Sequence, residues 1–184
     1  MTTQPPTPRC HRRTLGAVFA LMLVSTAAQP AAAQTPEMPR VRSDDLSIAA
    51  LINEGQERSA TFRRLVETID ASDGIVYIEE GRCYHGVRAC LMLSVTVAGP
   101  SRVLRIVVDT RKADWDLMGS IGHEMRHAVE VLSDASVRSS AAVYFFYQRI
   151  ASSSRRTFET EAAIKAGLDV RAEARNQPGE RHTH

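Results

Sequence analysis

Two histidines four residues apart, His123 and His127, sit inside an apolar frame of Ile121-Gly122 before them and Ala128-Val129 and Val131-Leu132 after them. The pattern reads as a helix that Asp114 can cap and that ends near Leu132, where Ser133-Asp134 interrupts it. Residues i and i+4 share a helix face, so both imidazoles can point at one ion. A buried helix does not carry two imidazoles and Glu124 without groups that satisfy them. The rest of the chain must therefore cover most of this helix and leave one polar stretch with a purpose.

The flanking sequence supplies the covering elements. Ala89 to Ala98 alternates, with Leu91, Leu93, Val95 and Val97 on one side. Gly99-Pro100-Ser101 is a turn, and Arg102 to Asp109 is a second strand with Leu104, Ile106 and Val108 on one face. The two runs should pair as an antiparallel hairpin. Ile75 to Glu79 is a further short β-branched strand, which makes a sheet of three. Upstream, apolar spacing predicts one helix from about Asp44 to Asp70, stopped by Ser72-Asp73-Gly74. Downstream, helices are predicted from about Val137 to Ser152 and from about Thr157 to Arg175. The order is α+β: a small antiparallel sheet, an active-site helix and two further C-terminal helices. Hydrophobic residues make up 43% of the chain, enough for one core. That core is expected over residues 44–176, after a Pro-rich linker at 34–43 and before a flexible tail at 177–184.

Residues 1–33 have the three parts of a secretory signal peptide. Arg9, His11, Arg12 and Arg13 form a positive start, Leu15 to Ala27 an apolar run, and Ala31-Ala32-Ala33 a small-residue cleavage signal. The apolar run is short for a membrane span, which takes roughly 20 residues. The expectation is a periplasmic or secreted protein with no stable membrane anchor after cleavage. Arg12-Arg13 leaves Sec and twin-arginine export both open. Cys83 and Cys90 remain in the exported chain and read as one disulfide. Net charge is +2 with the basic residues scattered, so no stripe suggests nucleic acid.

The chemistry concentrates in His123-Glu124-Met125-Arg126-His127. A metal on the two imidazoles would leave Glu124 beside the same face, able to reach a water without ligating the ion. That arrangement suits metal-assisted amide hydrolysis with a carboxylate as general base. A catalytic site needs a third protein ligand. The candidates are Glu159 and Glu161, which would point about 200° apart on a helix, so both cannot face the metal.

With Phe158-Glu159-Thr160-Glu161-Ala162-Ala163 the sequence resembles the gluzincins, zincin-like zinc peptidases with two histidines on one helix and a glutamate on a later one. Their Glu-x-x-Ala-Asp pattern matches at Glu159 and Ala162, which carries the third-ligand role to Glu159. Ala163 stands where the family has an acid that often holds a ligand histidine, so that orientation must come from elsewhere. The metzincin extension, with a glycine and a third histidine, is absent. The resemblance spans about Leu117 to Gly167. It implies Zn2+ as cofactor, a zincin-like fold and a cleft along the sheet edge that binds a peptide or protein substrate by strand addition.

Other residues near the motif have plainer readings. Glu130 is a partner for Arg126 or an acid behind the ligands. Tyr144 and Tyr147 could stabilise an oxyanion, but the density of their helix favours core packing. Against the peptidase stands a non-catalytic module, with a structural metal or a peptide-binding cleft. Oligomeric state is open.

Overall fold

In the computed structural model, which describes residues 38–151 and 158–176, a mixed five-stranded sheet is combined with five helices. The expected signal peptide and tail lie outside these residues. The organising strand is β5, Ser101–Val108, whose alternate residues Arg102, Leu104, Ile106 and Val108 are buried. One edge of β5 pairs in parallel with β2, Gly74–Glu80, and β2 pairs in parallel with β1, Val41–Arg42. The other edge pairs antiparallel with β3, Ala89–Leu91, and β4, Thr96–Ala98.

The sheet is therefore mixed, not antiparallel, because the chain lays β2 on the far side of β5 from the hairpin. The run expected as one strand from Ala89 to Ala98 is two. Met92 N–H still reaches the Arg105 carbonyl and Thr96 pairs with Val103. Three residues, 93–95, thus oppose the single Leu104, and the strand bulges. Val41–Arg42, expected as linker, adds an edge strand with Val41 buried in the core.

Helix α1, Leu46–Arg58, and α2, Ala60–Asp70, replace the single helix expected over Asp44 to Asp70. Asp45 caps α1 by accepting from the Ser47 and Ile48 N–H groups. Ser59 is extended, ends α1 and caps α2 through the Phe62 N–H. Its hydroxyl also donates to Glu173, which accepts from Thr61 N–H and Oγ1 as well. A carboxylate at the start of α2 satisfies orphan donors and favours the positive helix end.

Helix α3, Trp115–Ser133, runs under the sheet with Asp114 as its N-cap, close to the expected span. Helices α4, Ser140–Ile150, and α5, Glu161–Asn176, follow. The core joins β2 and β5 to α3 through Val76, Ile78, Leu104, Ile106, Ile121, Met125 and Val131. The Cys83–Cys90 disulfide is present and ties the loop after β2 to β3.

Candidate metal centre

Helix α3 presents His123 and His127 on one face, their rings edge to face with centroids 4.8 Å apart. The segment just before α5 brings Glu159 to the same place. Its Oε2 lies 3.2 Å from His123 Nε2. Ligand atoms of His123, His127 and Glu159 all stand within 4.8 Å of one another, so these three residues could hold a metal ion. Glu159 is not on the helix as expected, because α5 starts at Glu161. The helical-phase choice between the two acids therefore does not operate. Glu161 is exposed in the first turn of α5, while Glu159 faces the cluster.

Glu124 stands beside the cluster, with Oε1 4.0 Å from His123 Nε2. Its Oε2 accepts from the Leu91 N–H of β3 at 2.7 Å. In β3, Arg88 carbonyl and Met92 N–H point to β5, so Leu91 N–H points outward, over α3. The carboxylate is thus fixed by the sheet edge next to the bulge. Burial pushes its pKa up, against the pull of both imidazoles and the Leu91 N–H. A carboxyl poised in that way can take up and give back a proton.

Glu130 supplies the orientation that Ala163 cannot. Ala163 is buried, with no polar atom on its side chain. Glu130 Oε2 lies 3.0 Å from His127 Nδ1, and Glu130 Oε1 accepts from Thr160 Oγ1 at 2.7 Å. Arg126 Nε stands 3.5 Å from the same Oε1. Thr160 Oγ1 in turn accepts from the Ala163 N–H, as an N-cap does. One carboxylate thus fixes His127 and the residue after Glu159. Holding Nδ1 in that bond leaves His127 Nε2 for an ion. Burial raises the Glu130 pKa, but the bonds from His127 and Thr160 outweigh it and the carboxyl sits below its usual range. The sequence signal was the i,i+3 spacing from His127.

Burial also pulls the His123 imidazole towards its neutral form. The Glu159 bond and the charges of Glu124, Glu159 and Glu130 prevail, and its pKa stands above the ordinary value. Three carboxylates around two imidazoles make a field that suits a cation.

Tyr147 is buried, and its hydroxyl donates to the His127 carbonyl at 2.9 Å, which commits that proton to the helix backbone. Tyr144 accepts from Gln148 on the exposed side of α4. Helix α5 approaches α3 through glycines. A Cβ at Gly167 would lie 3.0 Å from the His123 Cβ and 3.1 Å from the Gly119 carbonyl. One at Gly122 would lie 2.7 Å from Val170. These close contacts were not read in the sequence.

A scan against models of known protein families found no match, and searches of curated proteins and of solved structures found none either.

Proposed function

We propose that this chain is an exported zinc-dependent metallopeptidase of gluzincin type, cutting peptide bonds in a peptide or protein substrate. The observation that carries the reading is the convergence of His123, His127 and Glu159 from two separate segments, with Glu124 alongside and outside the ligand set. Two imidazoles and a carboxylate are donors that zinc accepts, and one pair already has its spacing. Two atoms about 2.0–2.1 Å from zinc at the tetrahedral angle stand roughly 3.3–3.4 Å apart. His123 Nε2 and Glu159 Oε2 are 3.2 Å apart. Among the described residues the group has three members rather than four, the count of a catalytic site with one open position. This favours hydrolysis over a purely structural metal.

Bound Zn2+ would supply Lewis acidity, lowering the pKa of water and polarising the scissile carbonyl. Glu124, held by Leu91 N–H, takes the proton from the attacking water and delivers it to the leaving nitrogen. Glu130 keeps His127 in the tautomer that offers Nε2. Strand β3 forms the lip along which an extended peptide can lie. The leader pattern in residues 1–33 and the disulfide support a periplasmic or secreted location. Among the described residues no helix is long and apolar enough to cross a membrane.

The test is metal analysis of the purified mature protein joined to cleavage of an unbiased peptide mixture with and without chelator. Expected are one equivalent of zinc and chelator-sensitive cleavage. Protein with no stoichiometric metal, or cleavage indifferent to chelator, sinks the reading.

A further inference from the structure

The metal group lies at one end of a longer depression. A cleft of about 330 Å³ holds His123, Glu124 and Glu159, and it shares Val87, Arg88, Ser120 and Arg171 with a neighbouring basin of about 640 Å³. That basin is built by the disulfide loop, the turn after β5 and the first turns of α3. It gathers five cations, Arg82, Arg88, Arg111, Lys112 and Arg171, against three carboxylates, Asp109, Asp114 and Asp116.

The two signs sit at different depths. Arg111 and Lys112 side chains are 77% and 78% exposed, while Asp109 and Asp114 are 14% and 13% exposed. Asp109 and Asp114 lie on the floor, where Asp109 holds Arg111 at 2.5 Å and Asp114 holds Arg88 at 2.6 Å and Lys112 at 3.0 Å, while Asp116, 36% exposed at the wall, holds Arg171 at 3.0 Å. Arg82 is exposed and has no ion pair among the described residues. Five cations against three carboxylates leave the basin net positive, and cations already oriented by the acids beneath or beside them attract an anion without having to be ordered first.

Distance from the metal group follows from helix geometry. Arg171 is four residues past Gly167, which touches His123, so it lies about 6 Å further along α5. Asp116 and the Arg171 bound to it lie about 10 Å along α3 from His123. An extended peptide rises about 3.3 Å per residue, so the basin begins two to three residues from the reacting carbonyl.

We propose that this basin is a substrate subsite for a carboxylate two or three residues from the scissile bond, which makes acidic peptides the preferred class. The proposal rests on the peptidase reading for its substrate. The carboxylate can come from an internal Asp or Glu or from the peptide's C-terminus, and guanidinium groups recognise both in the same way.

The test separates the two readings. Mature zinc-loaded Glu124→Gln protein is titrated with fluorescent hexapeptides of Ala and Leu. One set carries an internal Glu at successive positions and an amidated end. A second has no acid but a free C-terminus, and the control has Gln and an amidated end. At least one carboxylate set should bind about tenfold more tightly than the control. Raising salt from about 0.05 to 0.5 M should shrink that ratio, since exposed charges are screened. The ratio should fall towards one in protein that also carries Arg82→Gln, Arg111→Gln and Lys112→Gln, three exposed side chains, with an unfolding midpoint near that of the parent to show the fold is kept. Equal binding of all three sets, or no binding by any, overturns the subsite. Wild-type cleavage of the same peptides reads the other claim. Selective binding without cleavage leaves the subsite and defeats the hydrolase, whereas cleavage blind to charge does the reverse.

Discussion

Helix α3 handles buried charge in two different ways, at its C-terminus and at its middle. At the C-terminus Arg102 enters from β5, 1% exposed. Its Nη1 donates to the Val131, Asp134 and Val137 carbonyls, its Nη2 to Leu132, and Nε and Nη2 bind Asp73. A cation there meets the last unsatisfied carbonyls and the negative helix end. Every nitrogen has an acceptor, so the network is closed. At the middle, ligand atoms of His123, His127 and Glu159 converge within 4.8 Å, with Glu124 and Glu130 beside them. A closed network has a structural job, whereas a cluster of two imidazoles among three carboxylates could hold a cation.

The sharpest test of that contrast is at Glu124. Glu124→Gln keeps the shape and a group for Leu91 N–H but removes the base. Hydrolysis should fall by about 10²–10⁴-fold, with zinc content and unfolding midpoint little changed. Loss of zinc in this variant, or undiminished turnover, would show Glu124 to be a ligand or a bystander.

Arg102→Leu attacks the other end. It leaves four carbonyls and Asp73 without their cation, and stability should fall by about 3–5 kcal/mol in denaturant titration. Zinc affinity of the molecules that remain folded should not move. A pH series refines this. The bond from Arg102 outweighs burial and holds the Asp73 carboxyl below its ordinary value of 3.8. A depressed carboxyl contributes stability that is present above its unfolded pKa and lost as pH falls through the folded one. Wild-type stability should therefore decline below about pH 4, and that acid limb should be shallower in the variant. An unchanged limb would remove Asp73 from the network.

The sequence made the middle of α3 far more readable than its surroundings. The i,i+4 imidazoles, the adjacent Glu124 and the Asp114 cap are local, and local spacing survives into the fold. Glu159 was reached through a resemblance, not through geometry, and it sits before α5 rather than on it. The break at Ser59 was hidden because the apolar spacing runs on across it, and part of what holds it, Glu173, is more than a hundred residues away. The parallel pairing of β2 with β5 has no local signature, since alternation reports which face is buried and says nothing of which strand lies alongside. Arg102 reads in sequence as a polar residue starting a strand, and only the docking of α3 shows why it is buried.

A smaller effect is expected at Glu130, which joins the two networks in kind: a satisfied buried acid that serves the metal group. Glu130→Gln cannot accept from both His127 Nδ1 and Thr160 Oγ1. Zinc affinity by chelator competition should drop about 10–100-fold, while the metal-free protein unfolds nearly as before. Equal loss of stability with and without zinc would instead make Glu130 a packing residue, closer in role to Arg102.

The smallest effect tests whether α5 is placed by the metal group or only by packing. In a helix interior Ala is favoured over Gly by about 0.8–1.0 kcal/mol. At Gly167 the new methyl meets His123 Cβ at 3.0 Å and the Gly119 carbonyl at 3.1 Å, so α5 must retreat by a few tenths of an ångström. Overpacking of that kind costs about 1–3 kcal/mol, so the gain offsets part of the cost and Gly167→Ala should destabilise by about 0–2 kcal/mol. Zinc binding has no such offset, because retreat of α5 displaces the segment that carries Glu159 from His123. Affinity of the folded protein should weaken by a few fold beyond whatever stability is lost. A variant stabilised by the full helix-propensity gain with unchanged affinity would mean that the contact yields freely. The spacing of the two helices would then not set the spacing of the ligands.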